Sequence, residues 1–217
     1  MGLDRCDGLD ACSVKRNPLK LVALLSALWC PALLAAEAAW PALRDRLEAG
    51  DTSVDFRALR LAFATSAAYQ ADTPALREMQ EHVSRALAKD DFAGADKAAT
   101  AWLAVEYVNP FAHLGAARAQ DALGAPAAAA FHRKVAEGLM DSLCQRGEGQ
   151  SPDAPCVAIS VAEVYAYLAR RRLEPGASHE AQCKGGVACL VFEVREQDSG
   201  NLLDLYFDIS RPLAARR

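Results

Sequence analysis

The sequence predicts an α+β protein in which N-terminal antiparallel helical hairpins pack on a small C-terminal antiparallel sheet bearing one helix. Three observations lead there. Apolar residues recur at helix spacing from Trp40 to about Leu143, with Gly, Pro, Asn and Asp at the breaks. From Cys156 the pattern changes to short alternating runs. Alanine, the strongest helix former, supplies about a fifth of the chain. The 217 residues, 52% hydrophobic and 24% charged, suffice for one ordinary domain or two small ones. A net charge of −4 argues against nucleic acid or an anionic membrane as a partner, because both require clustered cations.

The first segment has the form of an address. Lys15, Arg16 and Lys20 precede an apolar run from Leu21 to Ala36, and small residues follow at Ala38 and Ala39. A basic start, a short apolar middle and an alanine-rich exit make a secretory signal peptide. The run holds sixteen residues, fewer than the ~20 of a spanning helix, which sets an uncleaved anchor second. A buried core helix would leave the flanking cations unexplained. Cleavage is expected after Ala36 or Ala38, so residues 1–36 form the leader. Trp29 stands before Cys30 where a lipid-attachment signal needs a small residue, and that reading is rejected. Residues 1–13 carry Asp4, Asp7 and Asp10 and fit no basic n-region, which leaves Val14 as a candidate start. The mature chain is expected in the periplasm or outside the cell, with no membrane span.

Residues 37–143 form the helical region. A first helix near Pro41–Ala49 stops at Gly50, which suits a left-handed cap. Asp51, Thr52 and Ser53 offer N-caps to the next helix, where Phe56, Leu59 and Phe63 share a face. Pro74 opens a third helix in its first turn. Further breaks fall at Lys89–Asp91, Asn109-Pro110 and Gly124–Pro126. At an offset of 34, Asp91–Val105 aligns with Ala125–Leu139, placing Ala95 over Ala129, Trp102 over Ala136 and Val105 over Leu139. That is the period of tetratricopeptide hairpins. In so alanine-rich a chain the match favours a hairpin array without true repeats.

Residues 144–210 form a disulfide-pinned α+β region, and 211–217 a tail. Loss of the leader removes Cys6, Cys12 and Cys30 and leaves Cys144, Cys156, Cys183 and Cys189. Four cysteines in one third of an exported chain indicate two disulfides. Of three connectivities the local one, Cys144–Cys156 with Cys183–Cys189, is expected, because Gly147, Gly149, Gly185 and Gly186 let the enclosed loops turn. Each bridge contributes about 2–3 kcal/mol. A zinc site with His179 is the rival, disfavoured by spacings of twelve and six. Cys156–Ile159 is a short β-like run. Ser160 and Glu163 have capping-box spacing for a helix over Val161–Leu173, which Pro175-Gly176 ends. Strands follow at Val187–Arg195 and Leu202–Ile209. Leu190, Phe192 and Val194 share a face with Leu203, Leu205, Phe207 and Ile209 only if paired residue numbers sum to an odd value. A hairpin closing at Arg195 opposite Leu202 satisfies this.

In that register Glu193 lies opposite Asp204, about 5 Å away between Cβ atoms. Two facing carboxylates can hold a proton or a cation, so this pair is the candidate for acid–base chemistry. It needs a concave pocket over that sheet face. The plainer reading is a solvated face on which Arg195 relieves the repulsion. His179-Glu180 matches only the start of a zincin helix, and after Pro175-Gly176 it is expected in a loop. His82, His113 and His132 lie on separate helices and are expected to be ordinary residues. The Gly-rich loop Arg146–Asp153 could bind a ligand or simply be a disulfide-closed turn. No hydrolase elbow, phosphate loop or dinucleotide fingerprint is present, and no cofactor or metal is expected.

Glu48–Thr52 before a helix, the Gly-rich loop Arg146–Ser151, and the ending Leu205-Tyr206-Phe207-Asp208-Ile209-Ser210 occur together here. In order and spacing the chain, from Leu43 to Ser210, resembles the bacterial domain-of-unknown-function 4919 family of exported proteins. It has Glu148 where the resemblance leads one to expect Asp, and its cysteine pairs are additional. The resemblance implies export and a helical-then-β layout, and brings no activity or site residues. The expected function is a non-catalytic envelope module that binds a protein or peptide through its hairpins. The alternatives are an acid–base hydrolase using Glu193 and Asp204, or a purely structural part.

Overall fold

A computed structural model describes residues 31–70, 73–145 and 148–214, with side chains from Ala39 onward. The expected leader up to Cys30 and the loop residues Arg146 and Gly147 lie outside them. Helix α1 (Pro31–Glu48) contains Pro41 rather than beginning there, because the alanine-rich stretch before it is itself strongly helix-forming. Gly50 then takes the left-handed position at φ +91°. The cap of α2 (Phe56–Ala64) is Asp55, whose carboxylate accepts the Ala58 N–H, and not Asp51, Thr52 or Ser53. Asp51 is engaged in the preceding turn. It accepts from the Ser53 N–H and hydroxyl and from Arg46, and these bonds lower its pKa to about 2.

The next four helices start at side chains that can accept a free helix N–H, or at proline. Thr73 caps α3 (Pro74–Ala88), Asp91 caps α4 (Phe92–Val105) and Asn109 caps α5 (Pro110–Ala122). Helix α6 (Pro126–Asp141) relies on Pro126 without a side-chain cap. The starts of α4 and α6 keep the offset seen in the sequence, and Ala95, Ala129, Trp102 and Ala136 are all buried. Glycine sets how closely the hairpins approach. A Cβ on Gly115 would lie 2.6 Å from Val83 Cγ1, and one on Gly138 would enter the Phe56 ring. Trp40, Leu59, Phe63, Val108, Leu139 and Ile159 fill the core beneath the helices.

After α6 come β1 (Cys156–Val157), α7 (Val161–Arg170), β2 (Leu173–Cys183), β3 (Val187–Glu196), β4 (Leu202–Asp208) and α8 (Ser210–Ala214). The strand order is β1-β4-β3-β2. Arg195 pairs with Leu202 and Phe192 with Leu205, the register the odd sum requires. Leu168 and Val164 of α7 pack on Phe192, Val194 and Phe207, forming a second core cluster.

Several expectations need correction. The sheet is mixed, not antiparallel throughout. β1 runs parallel to β4, which a connection containing α7 and two strands is long enough to allow. Helix α7 ends at Arg170, and Arg172 turns the chain with φ +56°. Pro175-Gly176 therefore does not stop the helix; a register shift falls between Pro175 and Ser178 within β2. The expected loop around His179 is thus an edge strand, where a proline is tolerated. Part of the tail is the helix α8, with Pro212 buried.

Both local disulfides are present. Cys144–Cys156 ties the exit of α6 to β1 with Cα atoms 4.7 Å apart, and Cys183–Cys189 closes β2 on β3 at 5.9 Å. Gly149, at φ +86°, lies against the first bridge, where a Cβ would stand 2.5 Å from Cys156 Sγ. Its carbonyl accepts the Tyr206 N–H, so this loop runs along the outer edge of β4.

Candidate functional site

Glu193 and Asp204 are opposite one another, as the register predicts. Both side chains are exposed on the open face of the sheet. The hydrogen bond of Arg195 goes to the Gly200 carbonyl at 3.4 Å. Val191 and Cys189, on the same face, are buried, so the face expected to be solvated is so only toward the β3–β4 turn.

A groove forms instead along the helical hairpins. α3 and α5 each pack against α4 and against one another, so an open face of both is presented to one side. At one end is a hollow of about 250 Å³, floored by Val83, Leu87, Trp102, Phe111 and Leu114 and edged by Arg118. By way of Gln80 and Ser84 it adjoins a shallow surface of about 600 Å³ whose described lining, including Arg77, Glu81 and Arg85, lies on α3 alone. Beyond Arg77 it reaches Asn109 and Ser160 at the start of α7. The floor is held rigidly. Glu106 accepts from the Trp102 indole N–H at 3.1 Å and from Asn109 Nδ2 at 2.8 Å, while Asn109 caps α5. Arg85 is 3.6 Å from Glu81 one turn earlier. Arg77 and Arg118 are exposed and have no carboxylate within ion-pair distance among the described residues.

A second, more polar cleft of about 700 Å³ lies where α6 and α7 meet the sheet, beside the Cys144–Cys156 bridge. Tyr167 and Leu205 form its inner wall, and Arg170, Arg171 and Glu196 its rim. Burial raises the Tyr167 pKa, partly offset by Arg171, whose guanidinium lies 5.9 Å over the ring. The acid of the Gly-rich loop is engaged in packing. Glu148 takes both Arg57 terminal nitrogens, at 2.9 and 3.1 Å, and accepts the Gln145 N–H.

Two polar clusters escaped the sequence reading. Arg60 is fully buried and gives Glu163 two bonds of 2.6 and 2.7 Å. Its remaining N–H groups reach the Val157 and Ser142 carbonyls, and Ile159 N–H donates to the same carboxylate. Ser160 caps α7 as expected, accepting from Glu163 N–H, but the Glu163 carboxylate turns to Arg60. With Arg57 on the adjacent turn, α2 thus holds the C-terminal region at two points.

The other cluster brings together two histidines expected to be unrelated. His113 Nδ1 and His132 Nδ1 are 2.8 Å apart, and His113 Nε2 is 2.8 Å from the Tyr107 carbonyl. A carbonyl only accepts, so His113 carries its proton on Nε2, and His132 must donate from Nδ1. Burial first, and His132 second, lower the His113 pKa to about 3. Burial also lowers that of half-exposed His132, opposed by Asp96 on α4. Tyr107, beside them, is raised to about 12 by burial and by Glu48.

These contacts explain why the helices and sheet form one packed unit; the hairpin groove combines an apolar floor with two edge arginines, Arg77 and Arg118, that have no ion-pair partner among the described residues. No family model matches the chain, and no curated protein or solved structure matches it either.

Proposed function

We propose that this chain is an exported protein of the cell envelope that binds a partner polypeptide through the groove on its helical hairpins. The observation that carries this reading is the groove itself. Its floor of Leu87, Phe111 and Leu114 is half-buried, its edge carries exposed polar and charged side chains, and the glycine contact at Gly115 fixes its walls. A half-buried apolar floor with a polar rim is the composition of a polypeptide-binding surface. Export is supported by the leader-like start and by two disulfides, which persist in oxidising compartments. No helix among the described residues is long and apolar enough to cross a membrane.

The test is retention of envelope proteins on the immobilised mature chain, compared with Ser84→Trp, which fills the groove from an exposed position. A defined protein held by the wild type and released by S84W supports the proposal. Equal retention on both, or none on either, defeats it.

A further inference from the structure

Resting on that reading, we infer that the groove between α3 and α5 takes an acidic amphipathic segment, with apolar side chains on the floor and carboxylates at Arg77 and Arg118. The residues lining the groove include Arg77, Arg85 and Arg118 against Glu81 and the buried Glu106, an excess of positive charge in a chain whose net charge is −4. Among the cations along it, Arg85 is already compensated by Glu81, whereas Arg77 and Arg118 are not paired with any described carboxylate. A carboxylate arriving at either one therefore disrupts no existing ion pair. Pairing of a rim arginine with a ligand carboxylate is also bidentate and sets the ligand's position.

The two arginines stand at opposite ends of the apolar stretch. Arg77 borders the part of the groove near Asn109 and Ser160, while Arg118 borders the hollow that contains Leu87. Arg77 and Leu87 are ten residues apart on α3, which spans ~15 Å at 1.5 Å per residue. Trp102, Phe111 and Leu114 lie between those ends. A matching segment presents two or three apolar anchors between acids spaced ~15 Å apart, roughly ten residues of helix or five of extended chain. A basic segment would bring like charge to both ends, and an entirely apolar one would leave both guanidiniums beside a dry surface without partners.

The experiment is a selection of displayed random twelve-residue peptides on the mature protein. Each enriched peptide is then measured against the wild type, Arg77→Glu/Arg118→Glu and Ser84→Trp. All three positions are exposed, and circular dichroism with a melting curve checks that the variants remain folded. The expected peptides carry net negative charge with apolar anchors, bind at least tenfold more weakly to the charge-reversed protein, lose affinity as salt is raised, and fail on S84W. Peptides blocked by S84W but neutral, basic or indifferent to the charge reversal would overturn the acidic assignment and leave groove binding standing. A selection that yields no peptide sensitive to S84W would overturn both.

Discussion

Acidification from pH 7 to pH 5 should weaken the fold through His113. The side chain is enclosed, donates to Tyr107 from Nε2 and accepts from His132 at Nδ1, so a second proton would place an imidazolium out of water with a second imidazole, and no carboxylate, as its Nδ1 partner. Its pKa is held near 3 in the folded chain against ~6.5 when unfolded. The unfolded chain therefore binds more protons throughout this window, and stability is lost as pH falls through and below ~6.5. At pH 5 the deficit is about 1.5 proton-binding decades, or about 2 kcal/mol. For a chain of this size that lowers the melting temperature by about 4–8 °C. His132 adds to the loss in the same direction, reduced by its half exposure and by Asp96. His82 and His179 are exposed. Urea denaturation at pH 7, 6 and 5 reads the effect directly. His113→Gln, which keeps a donor for Tyr107, should be less stable at pH 7 but vary much less between the three pH values. Wild-type stability that is level from pH 7 to pH 5, or a slope unchanged in H113Q, would refute the reasoning.

Other consequences are as direct. Arg60→Met should cost about 3–5 kcal/mol in chemical denaturation, because it strands the buried Glu163 carboxylate and removes the donor from the half-buried Val157 carbonyl. Gly115→Ala should cost about 1–3 kcal/mol, since its methyl would press on Val83 and part α3 from α5. Cys144→Ser/Cys156→Ser should lower stability by about 3 kcal/mol through loss of a twelve-residue closure, with no thiol appearing at Cys183 or Cys189 on alkylation. Intact-mass analysis of the protein from the envelope fraction should give a chain beginning at Glu37 or Ala39 and four hydrogens lighter than its reduced form; a chain that retains its leader and four free thiols would contradict export.

What the sequence makes legible is whatever is decided by neighbours in the chain. Thr73, Asp91 and Asn109 satisfy helix ends two or three residues away; Asp91 and Asn109 lie in breaks of the apolar pattern, and Thr73 directly precedes Pro74. The β3–β4 register follows from alternation over a single turn, and the short cysteine spacings match the bridges formed. The misses have the opposite character. β2 is exposed along almost its whole length because it lies at the sheet edge, so no apolar–polar alternation marks it, and its Pro175-Gly176 imitates a helix stop. Arg60 and Glu163 are separated by 103 residues, and each looks like an ordinary surface charge until packing removes both from water. His113 and His132 meet only because α5 and α6 pair. The groove is likewise invisible in the chain, since the spacing of Arg77, Phe111, Leu114 and Arg118 carries no sign that α3 and α5 lie together.

A photoreactive side chain at Ser84, within the groove, set against one at Asp198 on the distant β3–β4 turn, is the most direct probe of partner binding. Irradiation of intact cells should trap one discrete protein from Ser84 and none from Asp198, with the adduct lost when Arg77 and Arg118 are reversed in charge. Adducts from Asp198 alone, or a blank lane from Ser84 while the protein is folded and abundant, would contradict binding at the hairpin groove.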